Sequence, residues 1–527
     1  MRYLLLILFA LCSGPCLAQE NQYATFQASN QEDTTSILDA IGDISIWSHF
    51  GGNARHQSKG LLGAVAPTLS EPSWIADGDG TTTYIPIPQT GVVVDTHRVY
   101  AIATNPIQPG SAFAIAYNRS TGNFQWATPL PAIILDSWST PAIDPNSKHL
   151  LIAISDRIFA LDTASGSQIW STPIDGIVVN ASPVVTNDLG DSDRAFITNY
   201  SFGGGTASKL TCINIDPFNQ LTNPYQPGEI VWQAPLNGDC SGNTPAYSNG
   251  KVFVSTASST SSLKGTINAF DATQLTSTAP IWSFTNTIDT GFFSGVSVAR
   301  GHVYASSYSF TGLQSSANTV KLNSQTGQLI WSVPTNRTDT TPVVLSNNDV
   351  VISGGVATGA FDFLPFFGSL PSIQYIKEDG ANSAVLWDSA LETHDDENNN
   401  GIWDFGEYFL SIGGWTHQPI AVTIDDTPML IVGTLPLTQP AQLFGHNTAL
   451  SILDLTKSPT DSGFVVQKAL GTGSTPAMLG SWIYSPGDQG IQAFAPLSPD
   501  PIANTELLLR YTQGRITIQQ LSDRLSK

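Results

Sequence analysis

Arg157-Ile-Phe-Ala-Leu-Asp162-Thr-Ala-Ser-Gly166-Ser-Gln-Ile-Trp170-Ser-Thr-Pro173 is the stretch on which the fold turns. It reads as an alternating strand, a turn ending in Gly166, and a short second strand carrying Trp170. Ala112-Phe-Ala-Ile-Ala-Tyr-Asn118-Arg-Ser-Thr-Gly122-Asn-Phe-Gln-Trp126 repeats the pattern, as does Thr319-Val-Lys-Leu-Asn323-Ser-Gln-Thr-Gly327-Gln-Leu-Ile-Trp331. Looser copies end at Trp232, Trp282 and Trp387, so successive Trp spacings are 44, 62, 50, 49 and 56 residues. A period of that size suits a four-stranded unit with variable loops.

A second marker precedes each unit: a short apolar strand, often opened by a small polar residue and Pro. Thr140-Pro141, Ser182-Pro183, Thr244-Pro245, Thr341-Pro342, Gln418-Pro419 and Thr475-Pro476 open six of them, and Gly91–Val94 and Gly295–Ala299 supply two more. Pro is tolerated there because the first residue of a strand need not donate to the ladder. Eight inner strands, each followed by an apolar second strand such as Val252-Phe-Val-Ser, predict an all-β, eight-bladed β-propeller over residues 47–497. The last unit lacks a Trp-bearing fourth strand after Ile491-Gln-Ala-Phe-Ala-Pro. Pro72-Ser-Trp74-Ile-Ala has the missing character, so an N-terminal strand is expected to close the ring and remove its free edge.

The repeat resembles that of the quinoprotein (PQQ) propeller superfamily, with Ala160-Leu-Asp-Thr-Ala-Ser-Gly-Ser-Gln-Ile-Trp170 the nearest copy. The resemblance implies the fold over roughly 47–497. It leaves function open, because that superfamily contains dehydrogenases, outer-membrane assembly scaffolds and other exported proteins. Its dehydrogenases typically clamp PQQ beneath a disulfide between adjacent cysteines, with a calcium ion and an Asp base. This chain has no adjacent cysteine pair and no Cys-x-x-Cys-His for covalent haem.

Arg2, the uncharged apolar run Tyr3–Leu11 and the small residues up to Ala18 read as a secretory signal over 1–18. The run is too short to span a bilayer. Export to the periplasm or beyond is expected, with lipidation at Cys12 or Cys16 the lesser reading because neither sits in a good small-residue context. Cleavage leaves Cys212 and Cys240, for which an oxidising compartment permits a disulfide. Residues 19–46 are polar, and 498–527 read as a short helical extension turned at Gly514 with Leu507, Leu508, Ile516, Ile518, Leu521 and Leu525 as its apolar face. The net charge of −21 and the lack of a Lys/Arg cluster exclude nucleic acid as a partner.

One insertion, 393–407 between the sixth and seventh blades, carries a metal pattern: Asp396-Glu-Asn398-Asn-Asn400-Gly401-Ile402-Trp403-Asp404-Phe-Gly-Glu407. Asp396, Asn398, Asn400, the Ile402 carbonyl, Asp404 and Glu407 fill positions 1, 3, 5, 7, 9 and 12 of a twelve-residue calcium loop, with Gly401 at its sharp turn. Strand-like flanks argue against helices on either side, so a calcium-stiffened loop is expected. The same blade-to-blade connections place Asp136, Trp138, Asp239, Asp289, Asp339, Trp415 and His417 on one face, where the two Trp would offer exposed stacking platforms beside acids. Alternatively, the two Trp pack inside the channel. The resulting expectation is a monomeric, non-catalytic propeller that binds a protein or polymer through this face. A calcium-assisted PQQ-dependent oxidoreductase acting on an alcohol or sugar is the alternative.

Overall fold

A computed structural model describes residues 46–496, apart from 65–67, 131–138, 145, 147, 202–206, 258–263, 277–278, 288–290, 309–316, 356–369, 401–406, 417, 425–426 and 436–448. The expected signal, most of the 19–46 segment, the C-terminal extension, Asp136, Trp138, Asp289, His417, Ile402 and Asp404 lie outside the described residues. Everything described belongs to a unit spanning Gly42–Lys527.

Eight antiparallel sheets follow one another around a ring, as the repeats predict. Blade 5 shows the plan: inner strand Ser297–Ala299, then His302–Ser306, Ala317–Asn323 and the Trp331-bearing outer strand Leu329–Thr335. Blade 2 builds the middle of its sheet from one 14-residue element, His149–Asp162. Its first half pairs with Ala142–Asp144 and its second half with Gln168–Val178. A positive φ of 56° at Ser155 marks the reversal between the halves. Blade 8 is completed by Trp74–Ala76, which pairs antiparallel with Gly490–Phe494 in the register Trp74↔Ala493 and Ala76↔Ile491. The closing strand is the one that the sequence nominates.

The repeated Trp and Gly are two halves of one contact. The indole Nε1 of Trp126 donates to the carbonyl of Thr163 in the next blade at 3.1 Å, and Trp74, Trp232 and Trp282 reach Arg119, Gln274 and Ser324 in the same way. Gly166 sits beneath Trp126 with φ +72°, and a Cβ there would lie 2.6 Å from the indole. The turn needs a left-handed residue and the neighbouring blade leaves no room for a side chain. Asp162 holds this turn by accepting from the backbone N–H of Ala164 and Ser165 and from the Ser165 hydroxyl. Because Trp74 makes the same contact with blade 1, the seam between last and first blades is built like those at Trp126, Trp232 and Trp282.

A feature without a sequence signature occupies the axis. From Trp47 onward the chain winds inside the ring, meeting successive inner strands. Val94 donates its N–H to the Trp47 carbonyl (2.9 Å), Ile143 to Ser48 (2.7 Å), Tyr247 to Ala54 (2.7 Å), Val298 to Arg55 (2.8 Å) and Ala421 to Ser58 (2.9 Å). In blade 3 the acceptor is a side chain: Val185 N–H donates to His49 Nε2 at 3.0 Å. The segment then becomes the strand Lys59–Ala64, parallel to the inner strand Ile420–Ile424 of blade 7. His49 is fully enclosed. Burial, reinforced by nearby His56, holds its pKa down at about 3, consistent with a neutral ring accepting at Nε2. Burial holds His56 down at about 4, against the upward pull of its Nδ1 hydrogen bond to the Val296 carbonyl at 3.0 Å.

The Trp–Gly contact makes a direct prediction. Gly190 has a similar φ of +71° with nothing near its would-be Cβ, so Gly190→Ala is expected to cost about 1 kcal/mol, from backbone strain alone. Gly166→Ala adds overpacking against Trp126 and should cost about 2–4 kcal/mol. Urea denaturation of the two variants measures the difference; equal losses would show that the indole contact is slack.

Candidate functional site

The residues that open the inner strands are linked around the channel mouth. Gly91 N–H donates to Thr140 Oγ1 (2.9 Å), Thr140 N–H to Ser182 Oγ (2.9 Å), and Ser182 N–H to Thr244 Oγ1 (3.0 Å). On the other side of the ring Thr341 N–H donates to Gln418 Oε1 (2.8 Å). This explains the polar residue before the Pro at Thr140, Ser182, Thr244 and Gln418: each accepts from the equivalent residue of the preceding blade. Gly91 takes this position in blade 1, where a Cβ would meet Thr140 at 2.8 Å.

Inside that belt lies a cavity of about 30 Å³ lined by Phe50, Gln89, Asn180, Ser182, Gly242, Thr244, Asp339 and Thr416. These residues come from blades on all sides and from the axial segment, so the cavity is on the axis. Phe50, Asn180, Gly242, Asp339 and Thr416 are only half-buried, which opens it to solvent. Two of its residues carry a buried oxygen with no hydrogen-bond partner: Asn180 Oδ1 and Asp339 Oδ1. Burial alone pushes the Asp339 carboxyl up to about 8. Two residues earlier the Arg337 guanidinium lies 5.5 Å from the centre of the Tyr308 ring. The Asp339 backbone is fixed by donation to the Trp415 carbonyl at 2.7 Å.

Among the described residues, Asp339 is the acid that the loop positions bring to the axial mouth. Asp239 stands in its connection with its backbone bridged to Ala257 and is not part of the cavity wall. Trp415 takes the packed one of its two readings: it is only 2% exposed and lies 5.7 Å from the Tyr308 ring, tilted by 36°, as a wall and not an exposed platform. The apolar indole is covered because the Tyr308 and Arg337 side chains pack in a column beside it. Asn180 carries no signal in the sequence, since an Asn three residues before an inner-strand Pro reads as loop.

The cysteines also depart from expectation: Cys212 and Cys240 are free and fully buried. Cys212 lies mid-strand opposite Phe196 and Trp232, whereas the Cys240 thiol is 4.0 Å from the Ser255 carbonyl of blade 4. Burial pushes both thiols well above their usual range.

In the insertion, the described part of the acidic loop is turned inward. Asp396 Oδ1 and Asn398 Oδ1 both accept from the Asn400 N–H at 3.0 Å. Asn399 takes a φ of +57°. Glu407 is buried, with Oε2 at 2.9 Å from His394 Nε2. The short helix Ser389–Thr393 leads into the loop, capped by Asp388, whose carboxylate accepts from Ala390 and Leu391. No described helix is long and apolar enough to cross a membrane.

A family model described as outer membrane protein assembly factor BamB matches residues 201–363. No curated protein matches the chain. Among solved structures, a europium-containing methanol dehydrogenase superposes with a TM-score of 0.55 at 11% identity, covering 86% of this chain and 91% of its own. The quinohemoprotein alcohol dehydrogenase of Comamonas testosteroni gives 0.52 at 11% identity, covering 92% and 89%. BamB of Moraxella catarrhalis gives 0.48 at 13% identity, covering 80% and 96%. The chain carries the PQQ-like β-propeller fold. In this PQQ-like propeller the identities reach only the architecture, and the site must be read from its own residues.

Asp339 gives a pH signature. An unfolded chain loses that proton near pH 3.8, whereas the folded protein keeps it to about pH 8. Between those values the unfolded state binds fewer protons, so this group lowers stability as pH rises, by up to about 1.4 kcal/mol per pH unit. Asp339→Asn should match the parent near pH 4 and become progressively more stable towards pH 8, as read from thermal midpoints. A variant less stable at pH 8 would mean that Asp339 is ionised and paired.

Proposed function

We propose that the chain is an exported, monomeric, non-catalytic propeller that acts as a binding or scaffold protein, taking a protein or polymer partner on the loop-rich face around the channel mouth. The observation that carries this reading is the axial segment. It runs along the channel and brings Phe50 into the mouth, where the described cavity that it lines holds about 30 Å³. That volume is far too small for a tricyclic quinone. Among the described lining residues there is one acid and no cation to meet a quinone's carboxylates. The BamB match over 201–363 supports the same reading. The oxidoreductase alternative keeps one observation in its favour: Asp339 is a buried carboxyl with a pKa suited to a general base. Titration with pyrroloquinoline quinone in the presence of calcium, followed by Trp fluorescence, is expected to show no saturable quenching. Micromolar quenching accompanied by dye reduction would establish the oxidoreductase instead.

The insertion, in this proposal, is a calcium loop held by Asp396, Asn398, Asn400, the Ile402 carbonyl, Asp404 and Glu407. Support comes from the Asp396 and Asn398 oxygens, which already converge on one N–H. A bound cation would offset the entropy of ordering a long connection next to the binding face. Chelation should lower the melting temperature by several degrees, and Asp396→Ala should lower it equally and abolish the response to chelator. A melting temperature indifferent to both would reject the loop as a metal site.

A further inference from the structure

Asn180 of the connection into blade 3 and Asp339 of the connection into blade 6 point a chemical requirement at the same cavity. Each contributes a buried oxygen acceptor that no protein donor satisfies. No donor of the protein meets either, so a ligand rich in donors and free of acceptors can pair with both in place of water. The other polar walls are already engaged, since the hydroxyls of Ser182 and Thr244 accept from the belt. The cavity of about 30 Å³ admits one or two water-sized groups, which suits an ammonium head and is cramped for a planar guanidinium. Phe50 supplies an aromatic wall, and aromatic walls favour cations over neutral donors. A net charge of −21 draws cations towards the protein. With one carboxylate among its described walls, the cavity matches a single positive charge better than the double charge of a calcium ion.

We infer that the axial cavity at the channel mouth binds a single primary ammonium group, presented as a lysine side chain of a protein partner. This rests on the reading of the mouth as the binding face and names the chemistry of its anchor. A lysine inserted on the axis brings three N–H donors to Asn180 Oδ1 and the Asp339 carboxylate, and its charge stabilises that carboxylate as the ion.

Calorimetric titration of the mature, calcium-loaded protein at pH 8 tests it, with methylammonium and an acetyl-Gly-Lys-Gly-amide peptide as probes. Both should bind saturably at one per chain, while the acetyl-lysine peptide and tetramethylammonium should not. Asp339→Asn should weaken binding at least tenfold and Asn180→Ala about fivefold. Folding of both variants is checked by their melting temperatures. No binding of methylammonium to the parent, or unchanged binding by a folded Asp339→Asn variant, overturns the inference. Micromolar calcium displacing methylammonium also overturns it, because the cavity would then be a metal site. Capture of a partner that survives Asp339→Asn but is lost when bulky residues replace Gly242 and Thr416 would sink the lysine anchor and leave the binding face intact.

Discussion

Backbone donors on the inner edges of the blades must find acceptors, and the segment from Trp47 to Ser58 supplies them. A ring of blades removes edges between neighbours through its indole contacts. It still leaves eight inner strands whose outward-facing amides look onto the axis. Winding one segment past blades 1, 2, 3, 4, 5 and 7 satisfies those amides blade by blade, with carbonyls at five and His49 Nε2 at the sixth. The rest follows from that. The closing strand Trp74–Ala76 of blade 8 follows the segment closely in the chain, so axis and rim are locked by the same short stretch. Neutral, buried His49 is the point at which this lock depends on protonation state, since a proton on Nε2 would turn the Val185 amide's acceptor into a second donor.

The ring was legible because its signals are repeated. Trp126 and Gly166 each recur at a fixed place, and a contact between adjacent blades needs both, so the pattern survives variable loops. The residues before each inner-strand Pro were visible as a marker, although their purpose became clear only when Thr140, Ser182 and Thr244 met in one belt. The axial segment was illegible for the opposite reason. It occurs once, its contacts are mostly backbone to backbone, and such contacts place little demand on side-chain identity. Ser48, Ala54 and Arg55 act there through their carbonyls, which any residue has.

The candidate site divides in the same way. Asp339 could be placed near the mouth from its position in the repeat, but its raised pKa could not, because that comes from burial by residues distant in sequence. Trp415 fell on the packed side of its two readings. An aromatic in a long connection reads as a platform until Tyr308 and Arg337 are known to stack in the same place. The cysteines failed for a geometric reason: 28 residues of separation do not reveal that one thiol faces a sheet partner and the other a neighbouring blade.

A filled axis changes what the fold is good for. An enzyme on this scaffold would need its open cavity where the strand-opening residues converge, because that is where side chains from many blades can surround one substrate. Here the chain runs its own segment through that position, and the cavity described there is a water-sized space with two acceptors that no protein donor meets. A cavity of that size can recognise the tip of a side chain. The area for binding must then come from the connections around it, including the insertion between blades 6 and 7. A small buried anchor inside a broad, solvent-exposed rim is how protein interfaces concentrate specificity, with a few desolvated contacts at the centre and adaptable ones outside. For the proposed binding face, the energetic logic of the plug and the logic of recognition are the same: the ring is stabilised by closing the axis, and closing the axis moves recognition to the surface.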